Sequence, residues 1–225
     1  MADHRAAPRS RVTAPGRRLQ VTFVALNYAP SVGGAQEHVR RVAEGLAARG
    51  HDVEVITTDA WRSPSGHHPG RIEATHEVIG GVAVQRHRVS PVLRRVQRAV
   101  RSVVVRLPGQ PRDLADVVLH PALAGPCAPG MWRAVRSARR RRDVVVACSA
   151  PFLTLVGPLR RARARATMVA MPLLHLRQTS AHRGVHRAVR RALCRADAVV
   201  ASTAHEQRAQ VELGVDPART VVLPP

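Results

Sequence analysis

The loop Pro30–Glu37 (PSVGGAQE) carries residue types suited to holding an anion. Gly33 and Gly34 lack Cβ, so backbone N–H groups can approach a phosphate where a helix begins and its dipole favours negative charge. The same pair also suits an ordinary tight turn from strand to helix. Glu37 and His38 would open that helix, and a carboxylate there is favourable for the dipole without any ligand. Ser149 follows the run DVVVAC; it could hydrogen-bond a ligand or cap the next helix. The spacing is neither G-x-G-x-x-G nor G-x-x-x-x-G-K-[ST], which counts against dinucleotide enzymes and P-loop ATPases. Cys127, Cys148 and Cys194 are far apart, odd in number and not in a C-x-x-C pair. Neither a disulfide framework nor a zinc site is expected, and a reducing cytoplasm is the default compartment.

Ligands of open α/β sheets sit beyond the carboxyl ends of the strands, so the elements around these residues decide whether they meet. Leu19–Asn27 is a short apolar run rich in β-branched residues, as a buried parallel strand requires. A helix is predicted over about 35–49, with Val39, Val42, Ala43 and Leu46 on one face and Gly50 as its stop. Asp52–Thr58 reads as the second strand. Residues 59–70 are a polar loop, and 71–88 a strand pair around Gly80-Gly81. Helices are predicted at 91–107 and about 131–141. Strands at 143–148, 166–171, 197–202 and 220–223 alternate with helices at 153–164, 184–195 and 204–213. This rhythm predicts α/β architecture with a doubly wound, Rossmann-like parallel sheet, filling 19–225 behind a disordered basic leader, 1–18.

The formal charge is +21, from 36 basic against 15 acidic residues. There is no lysine, one asparagine (Asn27) and only three isoleucines, so part of the basicity reflects a GC-rich coding bias. Aromatic content of 2% leaves no stacking platforms, and no specific nucleic-acid partner is expected. The 91–107 segment sets Val92, Val96, Val100, Val103 and Leu107 among arginines. It either lies on an anionic membrane face or packs its apolar stripe on the sheet with the arginines outside. No apolar run reaches the ~18 residues needed to span a bilayer.

The stretch 21–59, VTFVALNYAPSVGGAQEHVRRVAEGLAARGHDVEVITTD, closely resembles the opening of glycosyltransferase family four, the retaining GT-B enzymes. Gly33, Gly34, Gly50, His51 and Val53 stand where that family has its P-x-x-GG loop and L-x-x-x-G-H-x-V helix end. The distal segments RDVVVACSAPFLTLVGPLRRA, MPLLH and RADAVVASTAHEQRAQVELGVDPARTVVLPP match as well. The stretch 85–140 resembles nothing identifiable and is expected to be a variable insertion.

The resemblance implies the N-terminal, acceptor-side half of a two-domain GT-B glycosyltransferase of hexosyltransferase type. It implies that Gly33 and Gly34 approach the donor's phosphate and sugar, with Glu37 and Ser149 as further binding residues. His175 in MPLLH fits the family's histidine near the reaction centre, where it would orient a hydroxyl. The implied partners are a nucleotide-sugar donor and a lipid-linked or saccharide acceptor, a lipid-linked one placing the chain peripherally at the inner membrane face, with no metal and no cofactor. Two departures stand out. The family's histidine is missing from Val146-Ala147-Cys148, and the paired-glutamate donor motif finds no match before Pro225. The donor domain is therefore expected to lie outside the chain, with the isolated half inactive. A non-catalytic remnant, a split enzyme and a basic nucleic-acid-binding protein are the competing readings.

Overall fold

A computed structural model describes residues 17–61, 70–106, 125–159, 165–174 and 183–224. Residues 1–16 of the expected leader, most of the 59–70 loop, residues 107–124, the predicted helix end at 160–164 and His175 lie outside the described residues.

One eight-stranded sheet organises the molecule. Its strands are β1 (Gln20–Val24), β2 (Asp52–Thr58), β3 (His76–Ile79), β4 (Val82–His87), β5 (Val144–Cys148), β6 (Thr167–Met171), β7 (Ala198–Ala201) and β8 (Thr220–Val222). Their order is β3-β4-β2-β1-β5-β6-β7-β8. All neighbours pair in parallel except β3 with β4. That antiparallel hairpin turns on Gly80 (φ 56°) and Gly81 (φ 78°), two consecutive left-handed residues that suit a two-residue hairpin. The helices are α1 (Gly34–Ala48), α2 (Pro91–Arg106), α3 (Pro129–Arg141), α4 (Leu153–Leu159), α5 (Arg183–Leu193) and α6 (Ala204–Glu212). The doubly wound α/β arrangement read from the sequence is thus the one observed.

Side chains alternating along the central strands feed two separate cores. Val21 and Phe23 of β1, with Val146 and Cys148 of β5, pack with Val39 and Ala43 of α1. Val24, Val145 and Ala147 point the other way, into a cluster with Met131 and Val135 of α3, Leu155 of α4 and Val189 and Leu193 of α5. This is why β1 and β5 read as continuous apolar runs rather than alternating ones: both faces are covered. Burying a side chain such as Val39, 1% exposed, stabilises the fold by about 2 kcal/mol.

Helix α2 corrects one expectation. Val92 (64% exposed), Leu93, Val96 and Val100 face outward. The half-buried side chains are Arg94 and Gln97, and Gln97 accepts a hydrogen bond from the Cys127 thiol (3.2 Å). The described part of the apolar stripe, Val92 to Val100, therefore does not pack on the sheet; the segment before α3 instead engages the helix's polar side at Gln97.

Candidate functional site

The strand order reverses between β1 and β5: β2 and β4 extend to one side of β1, and β5 to β8 to the other. Loops leaving the carboxyl ends of these two strands diverge and open a crevice, the usual ligand position in such sheets. Hydrogen bonds tie the surrounding loops into two groups, one on each side of it.

The first group joins the loops after β1, β2 and β4. Thr58 Oγ1 donates to Leu26 O (2.9 Å) and Asn27 Nδ2 to Ala60 O (2.8 Å). The Ser31 hydroxyl donates to Trp61 O. Arg86 of β4, 2% exposed, is the strut behind the Gly-Gly loop. Its Nη2 donates to Ala29 O (2.5 Å), its Nη1 to Ala74 O (3.0 Å), and it pairs with Glu77. Asp59, also buried, accepts from Val89 N (2.9 Å) and holds the start of α2.

The second group joins the loops after β5, β6 and β7. Ser149 N donates to Met171 O (3.0 Å) and Ala150 N to Pro172 O (2.6 Å). Glu206 of α6 fixes the other two. Its Oε1 accepts from Leu174 N (2.8 Å) and its Oε2 from Ser202 N (2.7 Å). Its own N–H is capped by Thr203 Oγ1 (3.1 Å), a variant of the capping box in which the carboxylate reaches one residue further back.

Helix α1 starts between the groups. Gly33 is its N-cap, and no side chain caps the first turn. The N–H groups of Gly34, Ala35 and Gln36 thus lack the intrahelical partners that later residues have. Gly33 is extended (φ 170°) and neither it nor Gly34 lies in the left-handed region, so the turn itself does not demand glycine at either position. A Cβ on Gly33 would meet only the end of the flexible Gln36 side chain, and one on Gly34 would meet nothing within 4 Å. What glycine provides at Gly34 is open space in front of free N–H donors.

Across the crevice lie the two non-glycine residues with positive φ among those described: Ser149 (69°) and Leu173 (51°). They end neighbouring strands. Backbone held in this region costs of order 1–3 kcal/mol and clusters at ligand sites. The Ser149 hydroxyl makes no hydrogen bond among the described residues, so it does not cap α4; Thr154 instead donates to Cys148 O (2.8 Å).

Glu37 is turned onto its own helix. Its Oε1 accepts from Arg40 Nη2 (3.0 Å) and Arg41 Nε (3.0 Å), and its Oε2 from Arg40 Nε (2.9 Å). These hydrogen bonds hold its carboxyl at about 2, well below the usual range. His38, 4% exposed, is the buried residue of that turn. Neither ring nitrogen has a partner among the described residues. Burial pushes its imidazole below the ordinary value, with the Glu206 charge opposing. Asn27 Oδ1 and the Tyr28 hydroxyl are likewise buried without partners at the mouth of β1. Burial, with Glu44 adding to it, pushes the Tyr28 phenol upward.

The structure thus brings Gly33, Gly34 and Ser149 to one end of the sheet and leaves Glu37 engaged with arginines at its rim. His175 lies outside the described residues, one position beyond the Leu174 N–H that Glu206 fixes. Sequence reasoning passed over Glu206, Asn27 and Arg86. The T-A-H-E spacing at Thr203–Glu206 was a usable signal for the first; nothing in the pattern marks the other two. Among the described residues no group of three His, Cys, Asp or Glu could hold a metal ion. Burial pushes the Cys148 thiol up to about 12, so it is no nucleophile.

A mostly parallel sheet, covered on both faces and with its strand order reversing between β1 and β5, defines a Rossmann-like α/β class. The chain belongs to the glycosyl transferase 4-like domain family, whose model matches residues 33–225. That membership makes it a glycosyltransferase-type domain of GT-B kind. No curated protein sequence matches it. Similar solved structures include the α,α-trehalose 6-phosphate synthase of Burkholderia multivorans (12% identity, TM-score 0.47, 87% of this chain and 42% of that one). Another is the Burkholderia xenovorans enzyme in complex with glucose-6-phosphate (14%, 0.47, 85% and 42%). A third is the E. coli protein bound with UDP-2-fluoro glucose (13%, 0.44, 86% and 42%). The chain therefore spans less than half the length of each. No helix among the described residues is long and apolar enough to cross a membrane.

Proposed function

We propose that this domain is the acceptor-side wall of a glycosyltransferase cleft and supports transfer of a sugar from a nucleotide-sugar donor to a lipid-linked or saccharide acceptor. The observation that carries the reading is Gly34: a glycine required by neither turn nor packing, opening free N–H groups of α1 at the switch point. Those donors and the helix dipole would face the donor's phosphates. The Ser149 hydroxyl, on its strained turn, would take a sugar or phosphate oxygen. His175, next in sequence to the Leu174 whose N–H Glu206 holds, would orient the acceptor hydroxyl. Glu37 acts at the rim, setting Arg40 and Arg41. The opposite wall comes from a further domain or subunit, since Gly34 faces open space and Val32 beside it is 96% exposed.

Helix α2 supports the lipid-linked alternative. It contains no acidic residue, and its exposed Val92, Val96 and Val100 run beside exposed Arg95 and Arg98. Such a face suits an anionic lipid interface.

The test is nucleotide release by the protein isolated from its native cells, with whatever domain or subunit accompanies it, across a panel of nucleotide sugars. Release with at least one donor, lost in Gly34→Val, is the expected result. No release from any donor would sink the reading. Cosedimentation with phosphatidylglycerol vesicles checks the lipid arm, which fails if the protein stays in the supernatant at low salt.

A further inference from the structure

The opposite pole, where the parallel strands begin, has a different character. An open groove of about 690 Å³ runs between Arg17, the end of α3 and the starts of β5 and β6. A second hollow of about 490 Å³ adjoins it along the outer face of α3, sharing Arg140 and Arg141. Some of the lining arginines are spoken for: Arg142 binds Asp52 (2.8 Å) and Glu54 (3.0 Å), and Arg17 binds Asp143 (2.8 Å). Arg133, Arg136, Arg140, Arg141 and Arg165 are exposed and have no acidic partner among the described residues.

Fold stability explains only part of this. Arg140 and Arg141 sit in the last turn of α3, where cations offset the helix dipole. Arg133 and Arg136 lie nearer the middle of that helix, and Arg165 lies on another segment before β6. Five unpaired guanidiniums on one face of a chain with a formal charge of +21 repel one another.

We infer that this groove is a binding site for a soluble ligand carrying two or more adjacent phosphoryl groups. The guanidinium fork matches phosphate oxygens two at a time, and several forks on one face suit a ligand with several charges. Ser137 and Thr167 add hydroxyl donors to the lining. No aromatic residue lines either hollow, so a single strand of nucleic acid would find no base platform. Among the described residues the apolar lining is limited to Leu19 and Val144, too little to anchor in a bilayer. The site is at the far end of the strands from the Gly-Gly crevice and does not rest on the function proposed for that crevice.

The probe is sodium triphosphate, titrated calorimetrically into the chain at physiological salt. Saturable one-to-one binding is expected. Arg140→Gln with Arg141→Gln should weaken it by at least ~10-fold, since the two guanidinium forks shared by both hollows are lost. Arg88→Gln with Arg208→Gln removes the same charge from exposed positions elsewhere and should change it by less than ~2-fold, the residue left by long-range screening. Both variants shed like charge and should fold, which circular dichroism verifies. Absence of saturable binding, or equal weakening in the two variants, overturns the site and leaves only general basicity. Tighter binding of a single-stranded oligonucleotide or of anionic vesicles, lost in the Arg140/Arg141 variant, also overturns it by replacing the soluble ligand with a polymer or a membrane.

Discussion

The two ends of the sheet are built by opposite means. At the carboxyl end the charged groups are tied to partners and precision comes from the backbone: strained Ser149 and Leu173, free N–H groups at Gly34, and carbonyls and amides held by Arg86 and Glu206. At the amino end, backbone geometry is ordinary and the surface is a crowd of arginines. The first construction suits the placing of a ligand's atoms that we propose there, the second the attraction of charge. Mutations should separate them, because buried ties cost stability when cut, whereas exposed like charges cost little or nothing when removed.

The largest effect is expected at Glu206. Its two oxygens each accept from a backbone N–H, and the residue is 5% exposed. Glu206→Ala leaves both donors unpaired and should destabilise the fold by about 3 kcal/mol, the scale of two hydrogen bonds to a charged group. Urea denaturation measures it. Glu206→Gln keeps two acceptors' worth of shape but only one carbonyl oxygen, and should fall between. A loss for Glu206→Ala no larger than that of an exposed glutamate such as Glu212 would mean the loops after β6 and β7 hold themselves.

The comparison also explains what the sequence could reveal. Parallel strands buried on both faces write nearly continuous apolar runs, so β1, β5 and β6 were legible, as was the hairpin at Gly80-Gly81, whose positive φ needs glycine. Helix α2 was half legible. Its amphipathic spacing showed, but periodicity says only that two faces differ, not which one meets the protein, and Arg94 and Gln97 turned out to face inward. At the candidate site, Gly33, Gly34 and Ser149 could be singled out because residue type and local spacing alone mark them. Arg86 and Asn27 act through contacts 57 and 33 residues away in the chain, which no local pattern records.

A smaller effect should appear with pH. Burial lowers the proton affinity of His38, and likewise of His87, which His76 also disfavours. Both therefore bind protons more weakly in the folded than in the unfolded chain. Their contribution to stability is complete above the unfolded value of about 6.5 and is lost as pH falls below it toward the folded values. Thermal melts from pH 7.5 to 5 should show Tm falling with acid, and His38→Gln should flatten that slope without touching the amino-end arginines. An unchanged slope would mean that His38 reaches solvent or a partner when protonated.

The smallest change in stability should come from the residue on which the functional reading depends. Gly34→Ala adds a methyl group where nothing lies within 4 Å and replaces the weakest ordinary helix former at the start of α1. Stability should stay level or rise by up to about 0.5 kcal/mol. Gly81→Ala is the contrast: at φ 78° the new Cβ is strained, and a loss of about 1–2 kcal/mol is expected. If the first variant is as stable as the parent but fails to release nucleotide in the native assembly, the glycine serves the ligand rather than the fold. If Gly34→Ala destabilises as much as Gly81→Ala, the turn needs its glycine after all, and the crevice loses the feature that marks it as a site.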